Sequence, residues 1–229
     1  MFQNVIKIII TSIILLSLLF LVSFSNQYIF ILSILILGII ICIEANNLFL
    51  KLLKKNQYGK TSLFKKFNIK FLTLNIIALS YIFLVFCNFS YEIYKYEGSI
   101  FFLYIISICF FTDIGGYTFG KIIGGKKLSK ISPNKTISGT VGSFLFSITP
   151  LIIILNFNYL DFELNLNNII FCLCISLISQ LGDLFISFIK RKAKIKDTGH
   201  ILPGHGGVLD RLDGIIFAVP FSYLLLRLF

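Results

Sequence analysis

Apolar positions in this chain come in unbroken blocks, not at the intervals expected of an element with one wet face. From Ile8 to Phe24 there is no charged residue, and only Thr11, Ser12, Ser17 and Ser23 interrupt the apolar side chains. A helix needs about 20 such residues to cross a hydrocarbon core. Read this way, the blocks predict helices over roughly 5–24, 28–46, 70–88, 99–113, 137–155, 168–189 and 214–229. The expected fold class is all-α: a polytopic transmembrane helical bundle of about seven spans. No internal repeat or low-complexity linker divides the chain, so 1–229 reads as one domain. A cleaved signal peptide is the alternative for the first block. Its apolar run exceeds the usual h-region of about 7–15 residues, and no small-x-small site follows it, which favours a membrane anchor.

Composition agrees with the blocks: 57% of the 229 residues are hydrophobic. The basic residues add an orientation. Loops 51–70, 114–136 and 190–213 hold 18 of the 21 Lys and Arg residues. These are alternate loops, so seven spans put all three on one side, which the positive-inside rule makes cytoplasmic. The opposite loops, 89–98 and 156–167, hold Glu92, Glu97, Asp161 and Glu163 against Lys95 alone. The N-terminus is then cytoplasmic. A net charge of +11 follows from this topology and from attraction to anionic headgroups, so nucleic acid is not expected as a partner. The five cysteines all fall inside apolar blocks without a CxxC pair, and read as small packing residues.

Topology does not explain the remaining acids, Glu44, Asp113, Asp183, Asp197, Asp210 and Asp213, which lie at cytoplasmic span ends or in the last basic loop. A carboxylate at membrane depth is costly and usually pairs, lines a cavity or binds an ion. Asp183 precedes Lys190 by seven residues, about 10 Å of helix rise inside the boundary. Its structural alternative is a helix–helix hydrogen bond or an ion pair with Lys190. Asp210 and Asp213 share a helix face, and their alternative is ordinary N-terminal helix charge. Around them, Lys190 to Asp213 gathers six cations, three Asp and two His. Glycines 204, 206 and 207 flank His205 and would let backbone amides approach phosphate oxygens. A second glycine-rich segment, Asp113 to Gly120, reads as the opening of another cytoplasmic loop. That loop runs on to the Ser132-Pro-Asn-Lys-Thr136 turn. Carboxylates for Mg²⁺, cations and amides for phosphates, and a position at headgroup level suit a metal–nucleotide–lipid site.

From Ser187 the chain reads S-F-I-K-R-K-A-K-I-K-D-T-G-H-I-L-P-G-H-G-G-V-L-D-R-L-D. This resembles the signature of the phosphatidate cytidylyltransferase (CDP-diacylglycerol synthase) family, S-x-x-K-R-x-x-x-x-K-D-x-x-x-x-x-P-x-H-G-G-x-x-D-R-x-D, and matches every fixed position from Ser187 to Asp213. Gly182-Asp183-Leu184 matches the G-D-L ahead of it. Ser132 to Gly139 is similar to the family's S-P-x-K-T-x-E-G turn, and Asp113 to Gly120 to its D-x-x-A-Y-x-x-G segment. Glu44 stands near the family's early membrane Glu. The chain departs from the pattern at Ser138, where Glu is common, and at Gly116, where Ala is usual. It is also short beside the family pattern, as if early helices were fewer.

The resemblance implies the reaction CTP + phosphatidate → CDP-diacylglycerol + pyrophosphate. It also implies a Mg²⁺ cofactor, with a monovalent cation left open, held first by Asp183 and Asp210 and next by Asp213 and Asp197. Lys190, Arg191, Lys196 and Arg211 would bind triphosphate or lipid phosphate. Ser132, Lys135 and Thr136 would form a polar turn on the nucleotide side. Ser187, His205, Gly206, Gly207 and Asp113 complete the substrate-binding set. The partners implied are CTP, phosphatidate and the bilayer, with a homodimer left open. The location implied is a bacterial inner (plasma) membrane with the site at its cytoplasmic face. The rivals are another CTP-using membrane lipid enzyme, such as a polyprenol kinase or a synthase on a different lipid phosphate, and a transporter. No inverted repeat supports the transporter.

The charge pattern generates a topological prediction. Single cysteines placed in loops 51–70, 114–136 and 190–213 of a Cys-less variant should be shielded from an impermeant thiol reagent in intact cells. Labelling of any one of these loops from outside would overturn the seven-span arrangement.

Overall fold

The structure is a computed structural model that describes residues 2–54, 64–129, 132, 135–157, 163–204 and 206–228. The described residues fold as helices: α1 (Phe2–Ser23), α2 (Gln27–Lys54), α3 (Phe64–Ser80), α4 (Asn88–Tyr96), α5 (Gly98–Ile122), α6 (Ile137–Ser147), α7 (Thr149–Phe157), α8 (Leu166–Lys192), α9 (Leu209–Leu212) and α10 (Ile215–Leu226). Two isolated bridges, Lys127 with Thr136 and Leu202 with Gly206, are the extended pairings among these residues. The chain is an all-α polytopic membrane bundle. Five helical runs are long and apolar enough to cross a bilayer: Gln27–Leu53, Ile69–Tyr96, Gly98–Ile122, Ile137–Phe157 and Leu166–Lys192. Ile10–Ser23 is a shorter apolar helix, and α10, with 12 residues, rises only about 18 Å.

Several helices run further than the apolar blocks alone suggest. The 89–98 segment, read as a loop, is helical to Tyr96, and the chain turns at Gly98, whose φ of +89° few L side chains adopt. Segment 114–122, also read as loop, belongs to α5. Between α3 and α4 the helix widens into a π segment over Tyr81–Cys87. The block read as one span over 137–155 is broken at Ile148. Pro150 has no N–H for the Phe146 carbonyl, which instead accepts from the Thr149 hydroxyl at 2.7 Å and from the Ile148 amide.

Two compact units make up the fold. The first comprises Met1–Asn88 and Phe188–Leu212, the second Phe89–Ser187 and Asp213–Phe229. In the first, α2 buries a stripe of Phe30, Ile34, Ile41, Glu44, Ala45 and Leu48, while Ile29, Leu32, Ile36, Ile39 and Ile43 on its other face are exposed. Both stripes keep helical spacing. Apolarity therefore does not say which face is inside; the one carboxylate does. Gly38 lets α2 approach the π segment: a Cβ there would stand 3.0 Å from Cys87 Sγ and 3.3 Å from Ile82.

In the second unit α5 and α6 meet along glycines. A Cβ on Gly115 would lie 2.4 Å from the Gly142 carbonyl, and one on Gly142 would lie 2.4 Å from Phe119. Ser143 donates across the contact to the Thr112 carbonyl at 2.8 Å. Small residues at a crossing bring backbones together where water provides no hydrophobic drive between helices. This corrects the expectation for Asp113 to Gly120. Those glycines are helical and serve packing against α6; they do not open a phosphate-binding loop. On another side, α8 packs against α10, where Gly182 meets Phe217 and the rings of Phe185 and Phe217 cross edge to face at 5.8 Å.

Overpacking a tight contact costs about 1–3 kcal/mol. Gly142→Ala, whose Cβ would lie 2.4 Å from Phe119, should therefore lower the thermal midpoint measured in detergent by that equivalent. An unchanged midpoint in Gly142→Ala would mean that the α5–α6 contact is not close.

Candidate active site

In the first unit the loop between α8 and α9 folds around two carboxylates. Glu44, 2% exposed, accepts from the Val208 amide at 3.0 Å, the Leu209 amide at 2.8 Å and the Thr198 hydroxyl at 3.1 Å. Asp210 accepts from the Lys190 ammonium at 2.8 Å, the Thr198 amide at 2.8 Å and the Gly207 amide at 2.9 Å. Burial pushes the Asp210 carboxyl up, but the Lys190 hydrogen bond, the two amides and the Lys190 charge outweigh it. They hold the group below the usual carboxylate range. Gly206 takes a φ of +86°. A Cβ on Gly207 would lie 2.3 Å from the Thr198 hydroxyl and 2.5 Å from Glu44. The expectation that the Gly207 amide would face phosphate is thus corrected: it is spent on Asp210.

In the second unit Asp183, on α8, is 2.5 Å from the Lys135 ammonium and accepts from the Ser187 hydroxyl at 3.1 Å. The Asp213 side chain lies within hydrogen-bonding reach of Asp183, and its own carboxylate accepts from the Gly214 amide at 3.0 Å. The structural alternative for Asp183, an ion pair with Lys190, is overturned: Lys190 belongs to Asp210. Seven residues of helix rise exceed the reach of a lysine side chain, whereas Ser187 at i+4 is a direct neighbour.

Lys135 also lines a cavity of about 260 Å³ with Asp113, Ser132, Thr136, Gly139 and Gln180. The turn that carries it is held at both ends. Leu128 and Ile137 amides bond the Lys135 and Lys126 carbonyls at 2.8 and 3.0 Å, and Thr136 caps α6 by accepting from the Gly139 amide at 3.1 Å. Ser138, at the departure from the family turn, donates to the Gly124 carbonyl and lies 3.0 Å from the Thr136 hydroxyl. It ties the turn to the end of α5.

The other candidates divide by exposure. Arg191, Lys196, Asp197 and Arg211 are exposed, and Asp197 lies beside Gly206. His205 lies outside the described residues. Sequence reasoning missed Thr198, which serves both carboxylates of the first unit, and Gln180, which lines the cavity of the second. Gln180 carried a legible signal, being an amide inside an apolar span three residues before Asp183. Thr198 carried none.

Among the described residues no group of three or more His, Cys, Asp or Glu side chains gathers as a metal cage. Mg²⁺ does not require one, since it is commonly held by one or two carboxylates together with phosphates and water. The donor chemistry fits such an ion. Asp183 and Asp213 bring two carboxylates together, and Asp183 and Asp210 each hold an ammonium against one oxygen, in the manner of a bound cation.

The depressed Asp210 carboxyl has a pH consequence. A carboxylate lowered on folding stabilises the native state above its unfolded value, about 3.9, and that contribution is lost as pH falls through the lower folded value. Asp210→Asn should therefore weaken the loss of unfolding stability on acidification below about pH 4, as read from thermal midpoints across a pH series. Parallel wild-type and variant curves would remove Asp210 from this role.

A family pattern covers nearly the whole chain, and individual relatives cover rather more than half of it. The pattern of the cytidylyltransferase family matches residues 8–229. A phosphatidate cytidylyltransferase of Staphylococcus aureus (strain COL) is 45% identical over 141 residues, which are 60% of this chain and 53% of the relative. Another, from Staphylococcus haemolyticus (strain JCSC1435), is 42% identical over 132 residues, 57% of this chain and 50% of the relative. The chain thus spans about half the length of the curated relatives it matches.

Proposed function

This chain belongs to the cytidylyltransferase family, and from that premise we propose that it transfers the cytidylyl group of CTP to phosphatidate, giving CDP-diacylglycerol and pyrophosphate. The observation that carries this reading is the Lys135–Asp183 pair. It joins the S-P-x-K-T turn to the G-D-L segment, 48 residues apart in the chain, and Lys135 also lines a cavity. The similar staphylococcal proteins are named for phosphatidate.

In the reaction a phosphate oxygen of the lipid attacks the α-phosphorus of CTP, the α–β phosphoanhydride bond breaks, and pyrophosphate leaves with the bond electrons. The attacking oxygen is already anionic near neutral pH, so no strong base is needed. Alignment and charge neutralisation do the work. Lys135 offers its ammonium, and Ser132 and Thr136 their hydroxyls, to the triphosphate from the wall of the cavity. Arg191, Lys196 and Arg211, all exposed, offer cations to the phosphates, and Arg matches phosphate as a bidentate fork. Asp183, with Asp213 beside it, would hold Mg²⁺ in the second unit, and Asp210 is the metal candidate of the first. When bound, the ion supplies charge neutralisation at the triphosphate. We place the site at the cytoplasmic face of a bacterial plasma membrane, supported by the 18 basic residues of the three loops and the bacterial relatives.

The test uses the full-length protein with Mg²⁺, phosphatidate and each nucleotide in turn. CTP or dCTP should release pyrophosphate and yield CDP-lipid, with ATP and GTP inert. Asp183→Asn, which keeps volume but removes the charge, should lower turnover roughly 10²–10³-fold, equivalent to about 3–4 kcal/mol of transition-state stabilisation. The double variant Asp183→Asn with Lys135→Met should stay as inactive, because both groups face substrate. Recovery in the double variant would reduce the pair to a structural ion pair, and transfer of only the γ-phosphate would make the protein a kinase.

A further inference from the structure

We infer that Glu44 is a positioning residue for this site, setting Asp210 through the Thr198 and 207–209 backbone that both carboxylates share; the inference rests on the function proposed above. Glu44 belongs to α2, more than 150 positions from the loop it holds, and nothing in the reaction requires it to touch substrate.

The two carboxylates share donors on the same two strips of chain. Thr198 gives its hydroxyl to Glu44 and its amide to Asp210. Along the next strip the Gly207 amide goes to Asp210, and the Val208 and Leu209 amides go to Glu44. A displacement of Glu44 is therefore passed to Asp210 by two independent routes, the side chain and amide of Thr198 and the consecutive amides 207–209. Little slack exists to absorb it. A Cβ on Gly199 would lie 2.4 Å from one Glu44 oxygen, and one on Gly207 would lie 2.5 Å from the other. Glu44 is also 2% exposed, so its charge is compensated by these donors and by no bulk solvent. Asp210 in turn holds Lys190. An acid of the first hydrophobic third of the chain thus sets the geometry of the signature at its other end.

The test compares wild type, Glu44→Gln and Thr198→Val as full-length protein in detergent. Glu44→Gln preserves volume but turns an NH₂ toward one of the two backbone donors. Thr198→Val loses a single donor and leaves the Thr198 amide on Asp210. Hydrogen–deuterium exchange of peptides covering 206–212 should quicken about 10- to 100-fold in Glu44→Gln, the factor for one lost charge-assisted hydrogen bond. The thermal midpoint should fall by no more than that one bond accounts for, while kcat falls and the Mg²⁺ concentration for half-maximal turnover rises. Thr198→Val should move the same readouts in the same direction by less, and it carries the test if Glu44→Gln does not fold. Unchanged exchange over 206–212 overturns the inference whatever the protein's activity. Faster exchange with wild-type kcat and Mg²⁺ dependence also overturns it and leaves Glu44 a strut. If the wild-type protein makes no CDP-lipid yet exchange responds as expected, the proposed reaction falls and the Glu44 clamp on Asp210 stands.

Discussion

An ionised carboxylate taken out of water costs several kcal/mol unless donors replace its hydration, and this chain sets such groups inside or beside its apolar helices. The rest of the structure follows from how each is compensated. Glu44 has two amides and a hydroxyl, Asp210 an ammonium and two amides, and Asp183 an ammonium and a hydroxyl. The α8–α9 connection carries almost no regular structure of its own. It is ordered by folding around the first two of these charges. Its glycines follow from the same constraint, because the backbone must come close enough to donate and a Cβ would occupy the space where the carboxylate sits.

A second kind of closeness governs the helices. Where α5 crosses α6, glycine meets glycine and the Ser143 hydroxyl reaches the Thr112 carbonyl. The crossing sets the start of α6 beside the end of α5, so the Lys135 turn is anchored from both sides: by Thr136 as the cap of α6 and by Ser138 on the Gly124 carbonyl. Ser138, where the family turn commonly has Glu, thus has a structural function of its own. Packing glycines and a polar turn together produce a cavity wall with one ammonium and several hydroxyls.

The cations separate into two populations. Lys190 and Lys135 are paired with acids within their own units, whereas Arg191, Lys196 and Arg211 are exposed. The Lys190 pair orders the loop, whereas Lys135 both pairs with Asp183 and lines the cavity. The signature therefore mixes two tasks, and its fixed positions are not equivalent. Asp210 and Gly207 organise the chain even before any substrate is considered, while Ser187 supports Asp183 in the other unit.

The sequence alone determined the helical class and the location of most helices, because crossing a hydrocarbon core is a local demand met by a contiguous apolar run. It also identified the acids worth attention, since a carboxylate near membrane depth is anomalous wherever its partners lie. It did not determine those partners. Asp183 has Lys190 nearby in the chain, yet pairs with Lys135, because a pair seven residues apart on a helix is too distant and one brought in by another element is not. The same holds for the glycines of 113–120, whose composition suits a phosphate loop as well as a helix crossing; only the approach of α6 decided between them. Glu44 could be seen as an acid in an apolar stripe, but both faces of α2 are apolar. Which face turned inward, and that three donors from a distant loop awaited its charge, was decided by tertiary structure, because hydrogen bonding depends on separations in space that apolar periodicity does not encode.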